Sequence, residues 1–109
     1  MDFNKYQQLA RQTAVYPDIG NNIVYPTLGL AGETGEFVEK IKKMIRDDNG
    51  VLTSERKAAL IKELGDVLWY VSNICSEAEI PFDIVAQTNI EKLQSRYKRG
   101  VVKGDGDDR

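Results

Sequence analysis

Four stretches in which apolar residues recur at helical spacing, joined by short segments carrying proline or glycine, predict an all-α fold. The expected architecture is an antiparallel bundle of about four helices forming a single domain over residues 1–109, with residues 100–109 as a tail. Two further observations shape that expectation. A chain of 109 residues can build one core but not two. Two short acidic repeats, Glu33-Thr34-Gly35-Glu36 and Glu63-Leu64-Gly65-Asp66, lie on either side of one turn, which points to a helical hairpin at the centre.

The first helix follows from Phe3, Tyr6, Leu9, Ala10 and Thr13, with Asp2 as N-cap and Tyr16-Pro17 and Gly20-Asn21-Asn22 ending it. Pro26 suits the first position of a second helix running to about Arg46. Asp47-Asp48-Asn49-Gly50 then reads as a turn. A calcium loop of the EF-hand type would place Ile45 at its first, acidic position, so the turn reading stands. Thr53 or Ser54 can cap a third helix with Glu55 in its first turn, continuing to about Glu79. Pro81 opens a fourth, carrying Phe82, Ile84, Val85, Asn89, Ile90, Leu93 and Tyr97 to about Lys98. The remaining Gly- and Asp-rich residues have no period and read as a mobile tail.

Composition narrows the chemistry. The hydrophobic share of 41% and charged share of 29% are those of a soluble globular protein. No apolar run is long enough to span a bilayer and no secretory signal pattern opens the chain, so the expected address is the cytoplasm, with no membrane partner. A net charge of −2 gives no general attraction to nucleic acid polymers. The chain has no histidine, which removes His-based triads and His-ligated transition metals. Its one cysteine, Cys75, cannot form an intrachain disulfide and reads as a buried small hydrophobe.

The acidic repeats carry more. At about 100° per residue, Leu30, Phe37, Val38, Ile41, Met44 and Ile45 share an arc of roughly 20° to 140° from Glu33. Leu60, Ile61, Leu64, Val67, Leu68, Val71, Ile74 and Cys75 share a near-identical arc from Glu63. If the arcs face each other in an antiparallel hairpin, both acidic edges fall on the same side of the seam. Counting outward from Gly50 puts Glu36 and Glu63 level, roughly 20 Å along their helices. Four such carboxylates, Glu33, Glu36, Glu63 and Asp66, repel one another unless a cation compensates them. Mg²⁺ is the natural one, since it takes carboxylate oxygens and completes its shell with water and substrate phosphate; Mn²⁺ can substitute.

The bland alternative is a solvated face, with Glu36–Lys40 and Glu39–Lys43 as i,i+4 pairs. Against it, Gly29, Gly32, Gly35 and Gly65 crowd the motifs at a cost to helix stability, as a close approach by backbone or ligand requires. Lys92, Arg96 and Arg99 project from the fourth helix near Asn89 and are candidates for phosphate binding. Trp69 lies away from the apolar arc of its helix and Tyr70 beside its acidic edge; either could stack on a base, but packing against the first helix or another subunit is the expected use.

The ordered set Gly32-Glu33-x-Gly35-Glu36, Glu63-x-x-Asp66 and Asn89-x-x-Lys92-Leu93-x-x-x-Tyr97 resembles the MazG-type all-α nucleoside triphosphate pyrophosphohydrolases, over nearly the whole chain. The resemblance implies a helical homodimer or homotetramer that uses Mg²⁺ to cleave a nucleoside triphosphate to the monophosphate and pyrophosphate. It implies Glu33, Glu36, Glu63 and Asp66 as metal ligands, Glu33 or Glu36 as the group that orients or deprotonates water, and Asn89 and Lys92 as nucleotide contacts with Arg96 as a phosphate partner. The Gly-Asp-rich ending with Arg109 also looks like the tails of small, often phage-like members. Many members carry a third acidic residue just before the first glutamate, where this chain has Gly32. Two alternatives share the pattern: a phosphoribosyl-ATP pyrophosphatase-like enzyme, and a non-catalytic helical module that binds nucleotide or a partner protein.

Overall fold

The computed structural model describes all residues 1–109 and contains four helices and no strand. They are α1 (Phe3–Gln12), α2 (Val24–Asp48), α3 (Ser54–Glu77) and α4 (Phe82–Arg99). No helix is long and apolar enough to cross a membrane.

The caps of α1 and α3 are those expected. The Asp2 carboxylate accepts the Lys5 N–H at 2.7 Å, and the Thr53 hydroxyl accepts the Arg56 N–H at 3.1 Å. The two proline expectations shift. Pro26 is the third residue of α2, because the Asn22 carboxamide accepts the Tyr25 N–H and starts the helix earlier. A proline fits anywhere in the first turn, where no N–H has an intrahelical partner. Pro81 precedes α4 as its N-cap, and α1 satisfies the first free amides. Gln7 Oε1 accepts the Phe82 N–H at 2.9 Å and Asn4 Oδ1 accepts the Asp83 N–H at 3.0 Å.

The expected turn at Asp47-Asp48 is helix. Winding stops at Asn49, which takes the left-handed conformation (φ 54°), followed by Gly50 at φ 75°. Arg56 reaches back from α3 to Asp48, Nε to Oδ2 at 2.6 Å, and ties the hairpin's closed end.

The long α2–α3 hairpin forms the spine. α1 crosses α3 near its C-terminal half, α4 packs mainly on α1, and no Cα of α2 comes within 8 Å of α4. Under α1 lies a polar layer: Ser72 and Asn73 are each 1% exposed. Arg11 donates to Tyr16 Oη, Asn73 Oδ1 and Glu77. The Glu77 carboxylate also accepts from Tyr16 Oη and from the Gly20 and Asn22 backbone N–H groups, so it pins the α1–α2 loop to α3. Cys75 is buried, as expected, and its burial pushes the thiol pKa up.

The matching apolar arcs are only partly used inside the chain. Phe37, Ile41, Met44, Leu60 and Val67 are half-buried, whereas Val38, Ile45, Ile61 and Leu64 are exposed. The arcs are wider than the seam between two helices. A closed four-helix bundle therefore does not form within one chain: the helices make an open, 44 × 41 × 26 Å arrangement.

A candidate metal centre on the α2–α3 hairpin

Antiparallel pairing of α2 and α3 brings the acidic repeats together on one side of the seam. Glu33 on α2 and Glu63 and Asp66 on α3 each offer a carboxylate oxygen, and these oxygens lie within 4.8 Å of one another. Glu33 and Glu63 are half-buried and Asp66 is exposed. Partial burial, then the charges of Asp66, Glu63 and Glu36, push the Glu33 pKa above its ordinary value. Glu36 is exposed and outside the trio, contributing charge to it rather than a converging oxygen.

The solvated-face alternative predicts ion pairs that are not made: Glu39 pairs with Lys42 at 2.8 Å, and neither Glu36 nor Glu63 pairs with a lysine or arginine. Three oxygen donors of like charge without a cationic side chain form a set suited to a hard divalent cation.

Glycine crowding resolves into one close approach. A Cβ at Gly29 would collide with the Tyr70 ring, while Gly32, Gly35 and Gly65 face open space. The Tyr70 ring thus packs close against α2 at Gly29, near Glu33 and Asp66. Its hydroxyl pKa is raised by burial and by Tyr25, Glu33 and Asp66. Trp69 turns the other way, donating Nε1 to the Thr13 hydroxyl at 2.8 Å, so its use is to hold the end of α1. Tyr16, Tyr25, Trp69 and Tyr70 form a continuous aromatic row: Tyr16 stacks on Tyr25 at 4.9 Å, and Trp69 meets Tyr16 and Tyr70 edge-on.

The basic candidates lie elsewhere. Asn89 and Lys92 border a shallow cleft with Ile84, Val85 and Thr88. Lys92 and Arg96 share a face, as their spacing requires, and both meet Asp107 of the C-terminal segment. Within one chain Lys92 and Arg96 pair only with Asp107 and not with Glu33, Glu63 or Asp66, and no Cα of α4 lies within 8 Å of α2. Sequence reasoning missed Asp107. It also missed Tyr6, whose hydroxyl pKa is raised by burial and by Asp66, since only the crossing of α1 over α3 brings them near.

A profile of the MazG nucleotide pyrophosphohydrolase domain matches residues 26–101, spanning α2, α3 and α4. The chain is 44% identical to the Gene 37 protein of Mycobacterium phage L5 over 114 residues, covering the whole of both chains, α1 and the tail included. No solved structure matches. With the acidic hairpin at the centre of the matched region, the chain belongs to the MazG nucleotide pyrophosphohydrolase family.

Proposed function

We propose that the protein is a Mg²⁺-dependent nucleoside triphosphate pyrophosphohydrolase that converts a (d)NTP and water to the (d)NMP and pyrophosphate, clearing nucleotides from a cytoplasmic pool. The observation that carries this reading is the convergence of Glu33, Glu63 and Asp66 oxygens within 4.8 Å, without a neutralising side chain, on the hairpin that the family profile spans. Glu33, Glu63 and Asp66 would hold the ion, with Glu36 beside them. When bound, the ion supplies polarisation of phosphoryl oxygens and a lower pKa for a coordinated water.

The chain's own residues do the rest. Glu33 or Glu36 orients the attacking water and takes its proton. The water oxygen bonds to the α-phosphorus, the bond to the α–β bridging oxygen breaks, and pyrophosphate leaves with that oxygen. Lys92 and Arg96 offset charge on the departing group, and Asn89 hydrogen-bonds the nucleotide. The separation of α4 from α2 supports a homodimer or homotetramer in which one copy's Lys92 reaches its partner's acidic centre. The exposed Val38, Ile45, Ile61 and Leu64 offer the apolar surface for it.

The test is a pyrophosphate-release screen over canonical, deoxy and damaged nucleoside triphosphates and phosphoribosyl-ATP at saturating Mg²⁺. Glu36→Gln and Glu63→Gln should each abolish turnover with helicity unchanged. Full activity in both variants sinks the assignment, and preference for phosphoribosyl-ATP redirects it.

A further inference from the structure

The segment Val101–Arg109 has no regular structure, yet it folds back on itself and on α4. Arg109 donates Nε to the Val101 carbonyl at 3.1 Å, Nη2 to the Val102 carbonyl at 2.9 Å, and Nη1 to the Gly106 carbonyl. The end of the segment is thereby clasped to its own beginning. Left-handed φ angles at Gly100 (72°) and Gly106 (82°) make the reversals possible.

The loop is joined to α4 at few points. Arg96 Nη2 donates to the Asp107 carbonyl at 2.7 Å. The Asp107 carboxylate lies 3.4 Å from Lys92 Nζ and 3.5 Å from Arg96 Nη2, and Arg99 meets the Arg109 carbonyl. The Asp107 side chain stays 87% exposed, and its two ion pairs are long. The Arg96 side chain is 6% exposed, yet its Nε has no acceptor. A guanidinium edge presents two N–H groups as a fork for two oxygens of one anion. Here the segment satisfies one prong and leaves the other orphaned in a buried setting.

We propose that Val101–Arg109 is a strap displaced by polyphosphate: Asp107 rests on Lys92 and Arg96 as a built-in stand-in for phosphate and gives way when substrate binds. The proposal rests on the reading of Lys92 and Arg96 as phosphate partners. A phosphate group brings more charge than one carboxylate and can fill both prongs of the Arg96 fork. Because the Arg109 clasp is internal to the loop, the strap swings as a unit about Gly100, giving up its hydrogen bonds and ion pairs with Lys92, Arg96 and Arg99.

The experiment uses inorganic tripolyphosphate without divalent cation, with affinity from calorimetry and amide exchange followed over residues 101–109. Tripolyphosphate should speed exchange of these amides in the unaltered protein. Asp107→Ala should tighten binding about three- to tenfold, the range set by two exposed ion pairs. Lys92→Ala should weaken it. If Asp107→Ala binds no tighter and the amides exchange at the same rate with and without ligand, the strap is wrong, while a loss in Lys92→Ala keeps Lys92 as a phosphate partner. Binding that survives Lys92→Ala undiminished removes both.

Discussion

The Glu77 carboxylate is enclosed by the fold and still ionised. Burial alone would raise its pKa, but the Asn22 N–H, Arg11, the Gly20 N–H and Tyr16 outweigh that and hold it at about 2, from an ordinary value of 4.5. A folded pKa below the unfolded one stabilises the protein above pH 4.5, and the contribution is lost as pH falls toward 2. It amounts to about 3 kcal/mol. Glu77→Gln should lower the unfolding free energy at pH 7 by about 2–3 kcal/mol and flatten the loss between pH 4.5 and 2, measured by urea titration. Two glycines give a sharper contrast. Gly29→Ala must push Tyr70 aside and should cost about 1–3 kcal/mol, while Gly35→Ala, facing open space, should gain up to about 1 kcal/mol. The spacing of glycines could not separate these cases, because the neighbour that decides, Tyr70, sits 41 residues away on another helix. Three of the four expected carboxylates were legible for the opposite reason: helical period and distance from Gly50 set angle and height on both sides of the turn, although Glu36, expected level with Glu63, stays outside the trio.

Among the elements, α1 and α4 depend on each other. Asn4 and Gln7 close the first amides of α4, and the Asp83 carboxylate returns a bond to the Asn4 N–H. Gln7→Ala should therefore destabilise the protein by about 1 kcal/mol, as loss of a helix cap does, although the residue lies on another helix. Thr53→Ala should cost a similar amount through α3 alone. Circular dichroism melts of the two variants check this. Local chemistry made the helices readable: Asp2 and Thr53 are caps by residue type, and Asn49 and Gly50 stop α2 by backbone preference. The starts of α2 and α4 were less so, because Asn22 acts ahead of Pro26 and α1 supplies the caps at Pro81.

At the scale of the molecule, the radius of gyration is 16.8 Å, against about 13 Å for a compact chain of this length. The excess reflects apolar arcs with no helix to cover their outer halves. On the proposed homo-oligomer, Leu64→Glu, placing a charge in the exposed arc, should leave helicity intact and shift light-scattering mass to that of a single copy. An unchanged mass would argue against a homo-oligomer built on this face. The arcs were visible as pattern, but how much of each one seam consumes is set by the α2–α3 pairing.

Trp69 is the only tryptophan, and its indole is bonded to Thr13 on one side of the row that ends at Tyr70 beside Glu33. Its ultraviolet emission is thus an intrinsic optical probe, placed where α1 detachment would expose the indole to water and one aromatic ring, Tyr70, away from the acidic trio. Titrations can be followed without a dye.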